Sequence, residues 1–449
     1  MIEAARIQAA IEIVDQVARS LDNDGPSADV LIRKYFRTRR YAGSKDRRAV
    51  TDLVYRIIRN WGFLHDSAAG DSRRMMLLTL KDTAAFTGQD HAPAEVTEAE
   101  QQFLSAHHEQ KPCHLLNYPA WLENRLRDRF GEDFAAELEQ LNGRAPFDLR
   151  VNLGKAGISA VEAVLKADGM DYHPGKWAKT ALVLVDNPRI EGWDIYKNGL
   201  VEIQDEAAQL AVELCDIKPG QQVMDLCAGA GGKTLAAAAY MENHGQIYAY
   251  DNNARRLRDL KPRAKRANAR IIQGRHLDTA GGKRQKILSV HIDYKGGASD
   301  ASGGNSSRSG SDGSSPHQIK KGRMDRVMLD VPCSGSGVWR RNPELKWRLD
   351  AEKLAQYCRI QQNLLIEGWQ FVKQGGRLIY MTCSLFDDEN EGQVTAFLKT
   401  TENARLVPYT DIYRQGGLKT LSSLPECLAL SPASHGTDGF FIAILEKVA

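Results

Sequence analysis

Close cysteine pairs are missing from this chain. Its seven cysteines are scattered through 449 residues, and no two lie within four positions of each other. Zinc ribbons and fingers need ligands paired at short spacing, so no structural metal site is expected. A disulfide framework would be out of keeping with this length and cysteine density, which makes a reducing compartment the default. Long hydrophobic runs are missing too, since no stretch approaches the eighteen or so apolar residues of a membrane helix. The start, Met-Ile-Glu-Ala-Ala-Arg, carries charges inside its apolar stretch and lacks signal-peptide order. These absences point to a soluble, cytoplasmic chain without membrane contact, expected to be a monomer.

Charge of one sign is also scarce. A formal net charge of +3 is too small to name a partner, but basic residues cluster at 33–48 and 255–270. The length suffices for two or three domains with cores of their own. In residues 1–22, Ile7, Ala10, Ile11, Val14, Val17 and Leu21 share one helical face. A second amphipathic helix aligns Val50, Leu53, Val54, Ile57, Ile58 and Trp61, with Ser44 as cap and Asp46 as dipole partner at its start. Residues 1–90 therefore read as an all-helical domain. Between those helices, Arg-Lys-Tyr-Phe-Arg-Thr-Arg-Arg-Tyr (33–41) interleaves cations with aromatics. Such a run can neutralise phosphates and stack on bases, or can be a solvated helix edge with its aromatics in the core.

Residues 90–115 are polar and suit a linker or short helices. Helix at 121–141, strand at 147–151, helix at 159–167 and strand at 181–185 indicate a small α+β module at 115–200. From 201 to 449 strands and helices alternate. Strands fit at 222–225, 246–251, 269–272, 325–330, 376–382 and 439–445, and helices at 233–241, 254–267 and 351–373. Such alternation predicts a parallel, doubly wound α/β sheet, whose ligands sit beyond the C-terminal strand ends. Between residues 295 and 318 there is no Val, Leu, Ile, Phe, Tyr or Trp. Too little apolar surface is available there to offset ordering entropy, so 290–320 reads as a disordered insertion.

Three turns carry the candidate chemistry. Asp-Leu-Cys-Ala-Gly-Ala-Gly-Gly-Lys-Thr (225–234) follows a strand and opens a helix, so its backbone can approach a ligand and its first amides can face one. Its glycine spacing is neither that of a Walker loop nor that of a dinucleotide fingerprint. Twenty-six residues after Asp225, Asp251 ends the next strand, where an acid typically binds ribose hydroxyls. The second turn is Asp-Val-Pro-Cys-Ser-Gly (330–335), and the third is Met-Thr-Cys-Ser (381–384). Both thiols, Cys333 and Cys383, would face one crevice if their strands are neighbours, and the residues alone do not rank them. Arg340, Arg341, Lys346 and Arg348 form a basic stretch suited to phosphates. Asp387, Asp388, Glu389 and Asn390 read as caps for the following helix in preference to a catalytic acid.

Taken together, the Pro-Cys and Thr-Cys turns, Gly439-Phe440-Phe441, Ile203-Gln204-Asp205-Glu206-Ala207-Ala208, and Ser44-Lys45-Asp46-Arg47-Arg48 leading into Leu53-Val54-Tyr55 resemble the Nop2/Sun family of RNA cytosine-5 methyltransferases. The resemblance covers most of the chain. It implies a Rossmann-like methyltransferase sheet preceded by a NusB-like RNA-binding domain. It implies S-adenosylmethionine held by Cys227, Ala228, Gly229, Ala230, Gly231, Gly232 and Lys233, with Asp251 on the ribose, Asp278 on adenine and Asp330 at the cofactor and base edge. Cys383 is then the nucleophile and Cys333 assists product release, with Lys233 favouring the thiolate and Asp330 stabilising charge at N3. The implied substrate is RNA, small-subunit ribosomal RNA above all. Two departures stand out: Gly229-Ala230 replaces the family's Ala-Pro, and Asp278 lies three positions beyond the usual Gly-Asp. Two rivals remain. A DNA cytosine methyltransferase would use the Pro-Cys thiol and an Glu-Asn-Val motif, which is absent. A non-catalytic RNA-binding factor would have no need of both cysteines.

Overall fold

The computed structural model describes residues 1–186, 188, 190–277, 287–289 and 320–449. Asp278 and nearly all of the Gly/Ser-rich segment lie outside them. At the N-terminus, periodicity becomes packing. Helix α1 (Glu3–Asp22) buries Ile7, Ala10, Val14 and Val17. Helix α2 (Ala28–Arg37) sends Tyr35 and Phe36 into the same core and leaves Lys34 and Arg37 exposed. Helix α3 (Ser44–Ile58) buries Val50, Val54, Ile57 and Ile58. Ser44 is not its cap. Gly43 holds that position, and Asp46 accepts the Gly43 N–H at 3.0 Å and the Arg6 Nε–H at 2.9 Å. Asp46 thus satisfies an orphan helix-start donor and fastens α3 to α1. Helices α4 (Trp61–Ala68) and α5 (Ser72–Leu80) complete this cluster.

The helix expected at 121–141 is two helices, Glu123–Phe130 and Phe134–Asn142, because Gly131 between them takes φ +52°. Strands β1 (Phe147–Val151), β2 (Tyr172–Pro174), β3 (Ala181–Leu184) and β4 (Val201–Ile203) form an antiparallel sheet in the order β2-β3-β1-β4. Leu149, Val151, Leu182 and Leu184 bury one face against Val161 and Leu165 of helix Ile158–Ala167.

The large sheet contains β5 (Gln222–Asp225), β6 (Gln246–Asp251), β7 (Ile272–Leu277), β8 (Ile287–Ser289), β9 (Met324–Asp330), β10 (Val372–Thr382), β11 (Ala404–Val407), β12 (Leu428–Leu430) and β13 (Phe440–Lys447). Its order is β11-β13-β10-β9-β5-β6-β7-β8, with β12 on β13; β10, β9, β5, β6 and β7 are parallel, while β13 runs antiparallel to β10. Both faces are covered, so alternate strand residues feed two cores. Val223, Ile247, Met328 and Ile379 enter one core, and Met224, Tyr250, Leu329 and Tyr380 the other. That two-sided burial is why these strands read as continuous apolar runs. The third strand lies at Ile272–Leu277, not at 269–272. Ala269 belongs to the turn that follows Asn268, the left-handed cap of helix Ala254–Ala267, and the polar Gln273, Arg275 and His276 hide the strand itself.

Candidate active site

The chain reverses its winding between β5 and β9, the point of such a sheet beyond whose strand ends ligands sit. Asp225, Asp251, Asp330 and Thr382 end the four strands around it. Asp330 is in register with Met381, so Val331-Pro332-Cys333 and Cys383 leave neighbouring strands at nearly the same height. Their Sγ atoms stand 3.3 Å apart, as free thiols. Both are partly exposed, whereas Cys113, Cys215 and Cys427 are buried. The hydrogen bond with Cys383, then burial, pushes the Cys333 thiol well above its ordinary pKa.

Backbone contacts lock the two thiol-bearing turns together. Gly337 N donates to Cys383 O at 2.9 Å, and Gly439 N donates to Gly337 O at 2.9 Å. A Cβ at Gly337 would sit 2.1 Å from the Gly439 carbonyl oxygen, so only glycine permits the crossing. Phe440 follows, and Lys233 Nζ lies 5.0 Å from its ring centroid.

Lys233 sits in the first turn of helix Gly232–Tyr240 and donates to Asp330 Oδ2 at 2.7 Å. Burial acts to lower its pKa, but the Asp330 carboxylate outweighs burial and holds it above the ordinary value. Thr234 Oγ1 donates to Asp225 Oδ2 at 2.7 Å, tying the helix start to β5. Burial pushes the Asp225 carboxyl up to about 7. Asp251 accepts Gly229 N at 2.7 Å and Asn253 N at 2.6 Å, so the glycine-rich loop hangs from the end of β6. Arg263 donates to Ala230 O at 2.8 Å and Arg150 to Gly232 O at 2.6 Å. Cys227 points to no reactive role: burial raises its thiol pKa well above the ordinary value.

This geometry accommodates a nucleoside-bearing ligand. Gly229 has φ +54° and a Cβ there would meet nothing within 4 Å, leaving open space beside the Asp251 carboxylate and the first amides of a helix.

The basic stretch after Cys333 is not a phosphate site. Arg340 pairs with buried Asp438 at 2.5 Å. Arg341 pairs with Asp438 and with Asp205 at 2.9 Å and Asp148 at 3.3 Å. Lys346 is buried and donates to Asn117 O at 2.9 Å, and Arg348 donates to Pro26 O at 2.8 Å. These cations join segments of the fold, a role that spacing along the chain does not reveal. The acidic run 387–390 does not cap the next helix either. Asn390 occupies the cap position without a side-chain cap bond; its amide donates to Ser384 O at 2.9 Å and its oxygen accepts Thr382 Oγ1 at 2.5 Å. Glu389 is wholly buried and binds Ser334 and Ser384. Sequence reasoning missed these serines and this acid, although the serine repeated after each cysteine was a signal.

A glycine-rich loop and a strand-end acid at the switch point of a parallel sheet are the parts of a nucleoside-binding, Rossmann-like domain. The family model for the 16S rRNA methyltransferase RsmB/F matches residues 212–290 and 305–446, and that for the ferredoxin-like domain of RsmF/B-like methyltransferases matches 118–191. Ribosomal RNA small subunit methyltransferase B of Vibrio cholerae is 30% identical over 353 residues, covering 78% of this chain and 70% of its own. The namesake in Photorhabdus laumondii is 29% identical, over 74% of this chain and 66% of its own. The chain thus spans about two thirds of the length of these relatives. It belongs to the RsmB/F family of 16S rRNA methyltransferases. Among solved structures, PH0851 superposes on 100% of this chain and 99% of its own with a TM-score of 0.76 at 24% identity. NSun6 from Pyrococcus horikoshii with SFG covers 75% of this chain and 100% of its own, with a TM-score of 0.58 at 17% identity. Both likenesses show the fold alone.

Proposed function

We propose that this chain transfers a methyl group from S-adenosylmethionine to C5 of a cytosine in small-subunit ribosomal RNA through a covalent bond between Cys383 and C6. The observation that carries this reading is the pair of partly exposed sulfurs 3.3 Å apart, beside a loop built for a nucleoside. Residues 227–233 and Asp251 would hold the cofactor, with Asp330 at its edge toward the base; when bound, it supplies an electrophilic methyl on a sulfonium. Asp278 lies outside the described residues, so its adenine contact rests on the resemblance.

Cytosine C5 is a poor nucleophile. Addition of the Cys383 thiolate at C6 makes the ring enamine-like, and C5 then takes the methyl group. Release requires that C5 lose its proton and that the C6–S bond break, its electron pair returning to sulfur. Cys333, its Sγ 3.3 Å from that of Cys383, would take the C5 proton as a thiolate after giving its own proton to water, since the Cys383 charge no longer opposes that ionisation once Cys383 is bonded to C6. Asp330, tied to the Lys233 ammonium at 2.7 Å, is the residue that would meet the charge building at N3. A base stacked in a helix is out of reach, so the target lies in a loop or is flipped. Residues 1–90 would act as the NusB-like RNA-binding domain and 115–200 as a second module ahead of the catalytic unit, 201–449. The exposed Lys34, Arg37, Arg40 and Tyr41 are the candidate RNA contacts in the first.

The test combines labelled methyl transfer with a search for protein–RNA adducts on denaturing gels. Cys383→Ala should abolish transfer to ribosomal RNA, whereas Cys333→Ala should accumulate a covalent adduct. An adduct from the first variant and none from the second would reverse the two roles, and labelled DNA in place of RNA would overturn the substrate.

A further inference from the structure

We propose that Glu389 is a positioning residue of the methyl-transfer site, its carboxylate fastening the turn that carries Cys333 to the turn that carries Cys383. The inference rests on the covalent reading above and assigns a role to a residue that touches neither base nor cofactor.

Glu389 lies in the 3₁₀ turn Asp387–Glu389 after β10 and is 0% exposed. Its Oε2 accepts Ser334 Oγ and Ser384 Oγ, each at 2.5 Å. Its Oε1 accepts Ser334 N at 2.9 Å and Gln361 Nε2 at 3.0 Å. Gln361 also donates to Pro332 O at 3.0 Å. One buried carboxylate therefore binds the residue after each cysteine and, through Gln361, the residue before Cys333. Ser336 extends the net, since Leu385 N donates to its Oγ at 2.7 Å. Below, Tyr380 Oη donates to Glu389 O at 2.6 Å, holding the turn to β10. A buried carboxylate with four donors is a costly thing to place for stability alone, since burial opposes its charge. Here the donors are divided between two turns whose sulfurs must stay 3.3 Å apart. Reaction geometry of that kind is lost with displacements near 1 Å.

The carboxylate has a second effect. Its charge is one of the influences that keep Cys333 protonated, after the Cys383 hydrogen bond, burial and the Cys383 charge. The other ionisable groups around this net are Tyr357, Cys358 and Tyr380, each raised by burial first, with Glu389 a lesser cause, and Lys233 beside Cys383.

The test uses the full chain with small-subunit ribosomal RNA as substrate. Glu389→Gln should melt cooperatively and bind S-adenosylmethionine as the parent does in calorimetry, while kcat falls between about tenfold and a hundredfold with KM for RNA little changed. The acid limb of its kcat profile, which reports Cys333 as the base, should move to lower pH. Independently of RNA, the parent's thiols can be joined by diamide, which takes both thiol hydrogens as the S–S bond forms and its N=N bond is reduced. Compared on the alkaline plateau, where the rate no longer rises with pH and thiolate fraction no longer differs, that reaction should slow in Glu389→Gln. A folded Glu389→Gln with the parent's diamide rate, or with the parent's kcat and pH profile, overturns the proposal. Should that variant not fold, Ser384→Ala keeps the carboxylate but removes one tie; it should show a smaller loss in the same readouts, and no loss overturns the proposal. Cys383→Ala runs alongside. Methyl transfer that survives in it refutes the covalent reading, whereas the parent's diamide rate still reports on the clamp.

Discussion

At the scale of single residues, the site depends on atoms that perform no chemistry. Gly337 is the extreme case, because its backbone and that of Gly439 are in direct contact. Gly337→Ala should cost about 1–3 kcal/mol or more, as overpacking does, and should lower kcat along with the midpoint of urea unfolding, because the same peptide holds the Cys383 carbonyl. Asp251 is different: buried at the end of β6, it supports the loop through two amides. Asp251→Asn should leave melting nearly unchanged and weaken S-adenosylmethionine binding by about tenfold, or 1.4 kcal/mol, read by calorimetry. The two candidate thiols were legible in the chain because each follows an apolar strand. Glu389 was not, because nothing in Asp-Asp-Glu-Asn says which acid the 3₁₀ turn directs inward.

At the scale of elements, strands ending in aspartate were easy to read: β5 and β6 carry two-sided apolar runs that stop at a charge. β7 was harder, since Gly274 and its polar neighbours resemble a turn until Ile272 is seen in register with Ile247. The break at Gly131 was hidden because apolar spacing continues across it. The junction between β1 and the catalytic unit was also hidden, being built from residues far apart in the chain. There Arg341 faces Asp148, Asp205 and Asp438. Burial, then the neighbouring Asp205 carboxylate, pushes Asp148 up to about 8. A carboxyl raised from an unfolded value of about 3.9 contributes its stability fully in acid and loses it as pH rises through about 8. Asp148→Asn has no proton to lose. Its melting temperature should therefore gain on the parent's as pH climbs from 5 to 8.5, measured by calorimetry in matched buffers.

At the scale of the whole molecule, the stretch after Cys333 docks the N-terminal helices. Glu344 accepts Ala28 N at 3.1 Å, Arg348 donates to Gly25 O at 2.5 Å and to Ser20 Oγ at 3.2 Å, and Lys353 pairs with Asp24 at 2.8 Å. The turn that bears one thiol is thereby continuous with the seat of the candidate RNA-binding helices. Arg348→Ala leaves Gly25 O without its donor, while Pro26 O and Ser20 Oγ keep their mutual bond at 2.6 Å, and should cost about 1 kcal/mol. Limited proteolysis should cut it faster near residues 20–27 than the parent, with S-adenosylmethionine affinity preserved.

Strand β13 begins at the crevice with Phe440 and runs antiparallel to β10, so Lys447 emerges at the opposite rim of the sheet, about 25 Å away for eight strand residues. Tethering the chain to a sensor surface through a handle beyond Lys447 should therefore leave the thiol crevice facing solvent, so that polynucleotide capture and release can be followed in real time.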